Sequence, residues 1–307
     1  MVEIVKTIEE ANCITHSGTM HADEVFTTAL LELYLGDLKV FRTSQIDAKN
    51  VSSDIWLYDI GRGKFDHHQE DALKRENGIP YAAFGLVWKE IGKDFLTKNN
   101  YMNIDEMFIG IDKDFVEGID ADDNGVFPRI EASYKVKTVS NIIKLFNPGF
   151  QSSQNESDQF LKAVDVAKKI LEEEILSVYG KVIALEKVRK LLEKNNGTNK
   201  YLLLDEYLPY EEAVLTDPLG ENILFVAYPS NRGGYAIKTI PKSIDDKTSR
   251  CLFPLEWAGK DEDELKEVSN IEGLRFCHLG RFIVTCDNIN AVYQVLDKLC
   301  NDIQKEN

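Results

Sequence analysis

The sequence is poor in cysteine and contains no long apolar run. Its five cysteines are an odd number among 307 residues and never stand as Cys-x-x-Cys, which argues against a disulfide framework and a thiolate zinc site. No stretch approaches the roughly 18 consecutive apolar residues of a membrane helix, and the amino terminus lacks the features of a secretory signal. We therefore expect no membrane partner and a reducing compartment. The cytoplasm is the default location, although a nucleus or an organelle would also fit.

Positive charge is also scarce. With 36 Lys and Arg against 52 Asp and Glu, the formal net charge is −16. Binding of a polyphosphate backbone needs local positive charge, so this balance disfavours nonspecific adhesion to duplex DNA or to an anionic membrane. A phosphate substrate stays open, because an acidic protein can bind divalent cations that supply the positive field.

Histidine is the third scarce residue, and its distribution is uneven. Four of the five histidines lie between positions 16 and 68, together with several aspartates. The side chains concerned are His16, His21, Asp23, Asp59, Asp66, His67 and His68. Imidazole and carboxylate ligands without thiolate suit Mn²⁺ or Mg²⁺ better than structural zinc. This window therefore predicts a metal site.

Each of these residues also has an ordinary structural interpretation. His16 could be a structural histidine at the end of a strand, and His21 and Asp23 could cap the helix that follows. Asp59 could be a turn residue. The adjacent pair His67-His68 is harder to explain in this way, because neighbouring histidines point in different directions and could serve metal and substrate separately. Their clustering in one window favours the metal site.

Strands and helices alternate along the first part of the chain. Residues 11–15 predict a buried strand, and the apolar spacing of Asp23–Leu35 predicts a helix. Two further strands are expected before residue 60. This alternation predicts an α/β fold with a mostly parallel sheet flanked by helices. In such sheets ligands gather where strands end, so His16 and Asp59 are expected to meet.

A polar stretch at residues 150–158 is the best candidate for a domain boundary. We assign residues 1–150 to a metal-binding catalytic domain and residues 151–199 to a linker and a long connector helix. Residues 200–307 are assigned to a smaller α+β domain that binds substrate.

Several stretches resemble a known family. Asp66-His67-His68, preceded by His16 and Asp59, is similar to the DHH phosphoesterase superfamily. Nearly the whole chain resembles one branch, the Myg (melanocyte-proliferating-gene) family of metal-dependent exonucleases. The stretches that carry this closer resemblance are Thr15–Glu24, Phe65–Gln69, Ile119–Gly125, Phe146–Pro148 and Phe276–Ile283.

The resemblance implies two divalent cations, Mn²⁺ or alternatively Mg²⁺. The residues implied for one cation are His16, His21 and Asp59, and those for the other are Asp23, Asp59, His67 and Asp120. Asp122 and Asp123 stay open as alternatives to Asp120. Many DHH enzymes carry an aspartate where His21 stands here, so the choice of metal stays open as well.

The resemblance also implies that His68 contacts the scissile phosphate, and we assign it with Asp59 and Asp66 to the catalytic group. Further substrate contacts are expected in the carboxyl-terminal part. The residues predicted to bind substrate are His68, Arg232, Lys238, His278 and Arg281. Arg232 precedes two glycines that would let the backbone approach a phosphate. An ordinary hairpin turn with solvated basic side chains is the alternative.

The leading hypothesis is a metal-dependent hydrolase that shortens RNA or oligonucleotides by a two-metal mechanism. The resemblance implies a 3′–5′ exonuclease active in RNA processing. One alternative keeps the site but changes the substrate to pyrophosphate, polyphosphate or a small nucleotide. Another is a non-catalytic RNA-binding regulatory protein. Whether the chain forms a homo-oligomer is left open.

Overall fold

The computed structural model describes residues 1–70 and 72–306, with side chains as far as residue 301. The first sheet is built from short apolar runs. Its strands are β1 (Val2–Val5), β2 (Cys13–His16), β3 (Leu38–Thr43) and β4 (Trp56–Leu57). Their order is β1-β3-β2-β4, and every pairing is parallel. The predicted parallel sheet is confirmed, and β1 is a strand that was not predicted.

Helices flank this sheet. They are α1 (Ala22–Leu35), α2 (Ala83–Lys98), α3 (Ile104–Ile111), α4 (Glu117–Asp123), α5 (Val139–Ile143) and α6 (Glu156–Asn195). A π-helical turn over Asp112–Val116 joins α3 to α4 without a break. Helix α1 is buried from Ala22 to Glu32, which fixes it firmly against the core. It ends at Gly36, whose φ of 88° is easily adopted only by glycine.

Contacts divide the chain into two units, Met1–Val182 and Ile183–Asn307. The core of the first unit contains the sheet residues, α1, α2 and the early turns of α6. Aromatic rings dominate its centre, where Phe26 meets the edge of Phe115 with ring centroids 5.1 Å apart. This packing matters for function because it fixes the start of α1 beneath the end of β2.

The second unit contains a mixed sheet. Its strands are β5 (Tyr201–Leu203), β6 (Phe225–Pro229), β7 (Tyr235–Thr239), β8 (Leu274–Cys277) and β9 (Ile283–Cys286). The order is β5-β6-β7-β9-β8, with β5 parallel to β6 and the other pairs antiparallel. Its helices are α7 (Glu211–Thr216), α8 (Glu262–Ser269) and α9 (Ile289–Glu306).

Helix α5 begins at Val139 and passes into a 3₁₀ turn that ends at Phe146. The side chain of Thr138 accepts a hydrogen bond from the amide of Asn141 and so caps α5. None of the helices that the structure describes is both long and apolar enough to cross a bilayer.

Candidate metal centre

The candidate site forms where β2 and β4 end and α1 begins. β2 delivers His16, the loop after it carries His21 at the amino-terminal cap of α1, and Asp23 lies in the first turn of that helix. Asp59 follows β4. β2 pairs in parallel with β4, so the carboxyl ends of both strands lie at one edge of the sheet. The expected meeting of His16 and Asp59 is observed, with His16 Nε2 at 3.1 Å from Asp59 Oδ2.

Two groups of four side chains with metal-ligating atoms converge here, beside a smaller third group of Asp59, His67 and His68, and within each group the candidate ligand atoms lie within 4.8 Å of one another. The first group is His16, His21, Glu24 and Asp59, and the second is Asp23, Asp59, His67 and Asp123. Asp59 belongs to both. A shared carboxylate between two ligand sets is the arrangement expected for a pair of cations.

Hydrogen bonds orient the two buried imidazoles toward these groups. His16 Nδ1 donates to the carbonyl oxygen of Ser17 at 3.1 Å, and His67 Nδ1 donates to Asn124 Oδ1 at 3.3 Å. Each histidine therefore presents Nε2 to Asp59, at 3.1 and 3.2 Å. Metal-binding histidines are commonly held in this way, with one ring nitrogen on an oxygen acceptor and the other free for the cation.

The carboxylates are short of hydrogen-bond donors. Asp23 is completely buried, and neither of its side-chain oxygens accepts a hydrogen bond from any residue that the structure describes. Asp59 Oδ1 is also buried and accepts no hydrogen bond from the residues that the structure describes. Buried polar atoms are normally satisfied, so these orphaned oxygens fit a site that binds cations.

The pKa values of His16 and His67 indicate an excess of negative charge in the site. Burial disfavours the charged form of His16, yet the carboxylates of Asp59 and Glu24 outweigh burial and raise the pKa of His16 to about 11. Burial likewise opposes the charge of His67, but Asp123 and Asp59 raise its pKa to about 10. The two ligand groups contain four carboxylates, whose charge two divalent cations would match while leaving the histidines neutral.

Asp59 has an unusual backbone. Its φ is 54°, in the left-handed region that few residues other than glycine, asparagine and aspartate adopt. Its amide donates to the carbonyl oxygen of Phe65 at 2.9 Å, which closes the loop that leads to His67. The strained turn therefore positions two members of the second group at once.

His68 differs from the other three histidines of the site. Its side chain is 62% exposed, and its Nδ1 lies 2.8 Å from Asp66 Oδ1. That hydrogen bond raises the pKa of His68 and, with the amides of His68 and Arg62, lowers the pKa of Asp66 to about 2 against the opposing effect of burial. Asp66 thus fixes the imidazole through Nδ1.

A cleft of about 870 Å³ opens beside the centre. Its walls include His16, His21, Asp59 and His68, together with the loop of residues 44–49. This volume lies within the usual range of small-molecule sites. Three of the candidate metal ligands and His68 therefore border one solvent-accessible space.

Asp120, the residue predicted to bind the second cation, is not among the side chains that the structure gathers into these groups. Its side chain is fully buried, but it lies 2.8 Å from Arg75 Nη2 and accepts from the amide of Gly85 at 2.9 Å. Burial raises the pKa of Asp120 to about 7, although Arg75 and Gly85 lower it. It is Asp123, one helical turn later, that joins Asp23, Asp59 and His67.

The two aspartates can be separated by experiment. We expect Asp123→Asn to reduce bound Mn²⁺ from about two ions per chain to about one, with little change in stability. Asp120→Asn should leave the metal content unchanged but lower the free energy of unfolding by about 2 kcal/mol, because the charge that pairs with Arg75 is lost. Metal analysis after dialysis and urea unfolding would measure both. Loss of metal in Asp120→Asn, with the metal content unchanged in Asp123→Asn, would instead assign Asp120 as the ligand.

Two further residues were not predicted. Glu24 accepts the amide of His21 at 2.8 Å and has the spacing of a capping box, which is the sequence signal that could have pointed to it. Asn124, which orients His67, stands in the Asp-Asn-Gly stretch that looks like an ordinary helix end. Its amide nitrogen donates to the carbonyl oxygen of Asp120 at 2.8 Å, which fixes the side chain.

The residues predicted to bind substrate in the second unit fall into two places. His278 and Arg281 lie in the β8–β9 turn, where the ring of His278 is 4.4 Å from that of Phe282. Lys238 pairs with Ile283 across the sheet, so it lies near this turn, but its ammonium group contacts Glu211 at 2.7 Å.

Arg232 is not brought together with these residues. It lies in the β6–β7 turn, and the next strand residue, Tyr235, pairs with Cys286 at the other end of β9. Three residues of strand, about 10 Å, separate Tyr235 from Lys238. The roles of all four residues in substrate binding stay predictions.

Comparison with known proteins finds relatives over most of the chain. The family model for MYG1 exonucleases, described as an uncharacterised protein family (UPF0160), matches residues 12–299. The MYG1 protein of Dictyostelium discoideum is 26% identical over 297 residues, covering 88% of this chain and 90% of the relative. The MYG1 protein of Chlamydia trachomatis is 27% identical over 299 residues, covering 92% and 94%.

A human relative, named MYG1 exonuclease, is 27% identical over 311 residues, covering 88% of this chain and 80% of its own length. None of the solved structures matches the chain. With a match that extends from residue 12 to residue 299, the chain belongs to the MYG1 family.

Proposed function

We propose that this protein is a metal-dependent exonuclease that hydrolyses RNA or short oligonucleotides from an end. The observation that carries the proposal is the pair of ligand groups that share Asp59. The name exonuclease borne by the human and rat relatives supports a nuclease over other phosphoesterases. The resemblance to DHH phosphoesterases supports a two-metal site, and the 3′–5′ direction of hydrolysis is part of the proposal.

The residues present fit two divalent cations. His16, His21, Glu24 and Asp59 would hold one, and Asp23, Asp59, His67 and Asp123 would hold the other. When bound, such a pair supplies positive charge that stabilises the oxygens of the phosphate during displacement. Nitrogen and oxygen ligands without thiolate favour Mn²⁺ or Mg²⁺.

The chain's own residues prepare the substrate for this chemistry. His68 borders the cleft, and Asp66 binds its Nδ1, so its Nε2 is placed to donate a hydrogen bond to a phosphate oxygen. Arg62 and Lys49 also line the cleft and add positive charge to a mostly acidic surface. Together they would orient the terminal phosphodiester beside Asp59.

The proposal is tested by hydrolysis of 5′-labelled single-stranded RNA and of pyrophosphate with Mn²⁺, with Mg²⁺ and with EDTA. We expect a ladder of shortened RNA that requires the metal and falls more than about 100-fold in His67→Ala, since loss of even a supporting residue costs 10- to 100-fold. Tyr293→Ala, on the exposed face of α9, serves as a matched control and should leave the ladder unchanged.

The two alternatives give different outcomes. Release of phosphate from pyrophosphate with RNA left intact would move the function to a small-phosphate hydrolase. Tight RNA binding without turnover under any divalent cation would support a binding protein instead. A ladder of equal strength with His67→Ala would reject the metal centre as the catalytic site.

A further inference from the structure

Residues 125–137 form a segment whose composition differs from that of the rest of the protein. All thirteen are exposed. Arg129, Lys135 and Lys137 stand against one acid, Glu131, so the segment carries a charge of +2 in a chain of −16. We call these residues the basic–aromatic segment.

Large apolar side chains alternate with these charges. Tyr134 is 75% exposed, Phe127 65% and Ile130 52%. From Phe127 to Lys137, the residues take part in no hydrogen bond or ion pair with any other residue that the structure describes. Exposed aromatic rings between unpaired cations are the features by which proteins bind single-stranded nucleic acid.

The segment leaves directly from the metal centre. Asp123 is a candidate ligand, Asn124 orients His67, and Val126 still bonds to the end of α4 through the carbonyl oxygen of Ala121 at 2.8 Å. Phe127 is only four positions after Asp123, so their Cα atoms lie within about 14 Å. Phe127 therefore lies close to the place where the proposed function puts the phosphate that is hydrolysed.

The chain after the segment is attached to the same centre. Following α5, the side chain of Asn147 accepts from the amide of Met20 at 2.7 Å and donates to its carbonyl oxygen at 2.9 Å. Met20 precedes His21, which belongs to the first ligand group. The chain is therefore attached to the metal centre on both sides of the basic–aromatic segment, at Asp123 before it and at Met20, through Asn147, after it.

A cavity of about 400 Å³ lies at the base of the segment. Phe127, Pro128 and Val126 form one side, and Phe115 and Ile119 belong to the other, so the lining is largely apolar. Two acids also border it, but each is paired: Asp122 contacts Lys144 at 3.2 Å and Asp114 contacts Lys181 at 2.7 Å. An apolar cavity of this size suits a nucleobase.

We propose that the basic–aromatic segment binds the nucleotides next to the scissile phosphate, through stacking on Phe127 and Tyr134 and through phosphate contacts by Arg129, Lys135 and Lys137. This inference rests on the proposed function and extends it. It assigns a base-bearing, single-stranded polymer as the substrate, because pyrophosphate has no base to stack. It also gives an acidic protein a local site for a polyanion.

Binding is measured apart from turnover. The probe is a fluorescein-labelled single-stranded RNA of twelve nucleotides, titrated in EDTA and followed by anisotropy. We expect the double variant F127A/Y134A to bind about 5- to 150-fold more weakly, the range for loss of one stacked base. Tyr293→Ala, which removes an exposed ring elsewhere, should bind like the unaltered chain.

The charges give an independent readout. We expect the affinity of R129A/K135A/K137A to depend less on salt, with the slope of log K against log [salt] shallower by about 2, since each phosphate contact on a single strand contributes about 0.7. The control variant K39A/K113A/K169A removes three exposed lysines outside the segment and should keep the original slope.

A small substrate, bis(p-nitrophenyl) phosphate, separates this inference from the proposed function. We expect F127A/Y134A to lose RNA hydrolysis while cleaving the small ester at an unchanged rate. RNA affinity unchanged in both segment variants would overturn the inference, even if His67→Ala abolished hydrolysis. Weaker RNA binding by the variants, in a protein that hydrolyses no RNA, would support the segment and reject the exonuclease. A change of molecular mass in F127A/Y134A with RNA affinity unchanged would assign the segment to contacts between copies instead.

Discussion

Asp59→Asn is expected to lower RNA hydrolysis by more than about 100-fold, beyond the effect of losing a supporting residue, and to remove bound metal. Asp59 is the residue that both ligand groups share. Asparagine tolerates the left-handed φ of 54° that this position requires, so the turn should persist. The loss would then come from the missing charge and not from a misfolded loop.

Thermal unfolding with and without Mn²⁺ gives the second readout for this variant. A ligand present at 100 times its Kd stabilises a protein by about 2.7 kcal/mol, and we expect Asp59→Asn to lose that gain. Asp105→Asn is the control, because Asp105 is an exposed carboxylate that pairs with Lys93. Full metal content together with full activity in Asp59→Asn would contradict the assignment of a shared ligand.

Gly85→Ala should have the largest effect on stability. A Cβ atom at position 85 would lie 1.8 Å from Asp120 Oδ2, and the amide of Gly85 donates to the other oxygen of that carboxylate. Either α2 moves or Asp120 leaves Arg75. Overpacking and loss of a charged hydrogen bond together cost about 3–5 kcal/mol, which we expect as a fall of roughly 10 °C in Tm.

Gly180→Ala is the matched control for this prediction. Gly180 lies inside α6, and a Cβ atom there would meet nothing within 4 Å. Alanine in place of glycine within a helix stabilises by about 0.5–1 kcal/mol, so Tm should rise slightly. A Gly85→Ala protein as stable as the unaltered chain would show that the Gly85–Asp120 contact does not constrain this region.

Much of the fold could be predicted because the signals are local. The apolar spacing of Asp23–Leu35 predicted α1, which runs from Ala22 to Leu35. Strand β1 was missed because Val2–Val5 is only four residues long and too short to show a clear pattern. Its partner, β3, is more than thirty residues away, so pairing and not local pattern makes it a strand.

The candidate site was predicted less completely. The residue types and the sheet edge that gathers them could be read from spacing, as His16 and Asp59 illustrate. The choice among Asp120, Asp122 and Asp123 depends on which face of a helix each occupies, and the π turn before α4 changes that face. The sequence also could not show that Arg232 and His278 lie far apart, because only the strand register places them at opposite ends of β7 and β9.

The π turn at Asp112–Val116 also has a consequence for how this protein can change during evolution. Such a turn holds one residue more than the α-helix around it would. Deleting that residue would rotate the following helix by about 100°, carrying Asp123 away from Asp59 while Asp120 left Arg75. Substitutions on the outer face of this helix are therefore tolerated. Changes in the length of the chain between Asp112, which accepts a hydrogen bond from Arg75 at 2.6 Å, and the metal centre are not. Insertions and deletions among relatives should avoid these twelve residues.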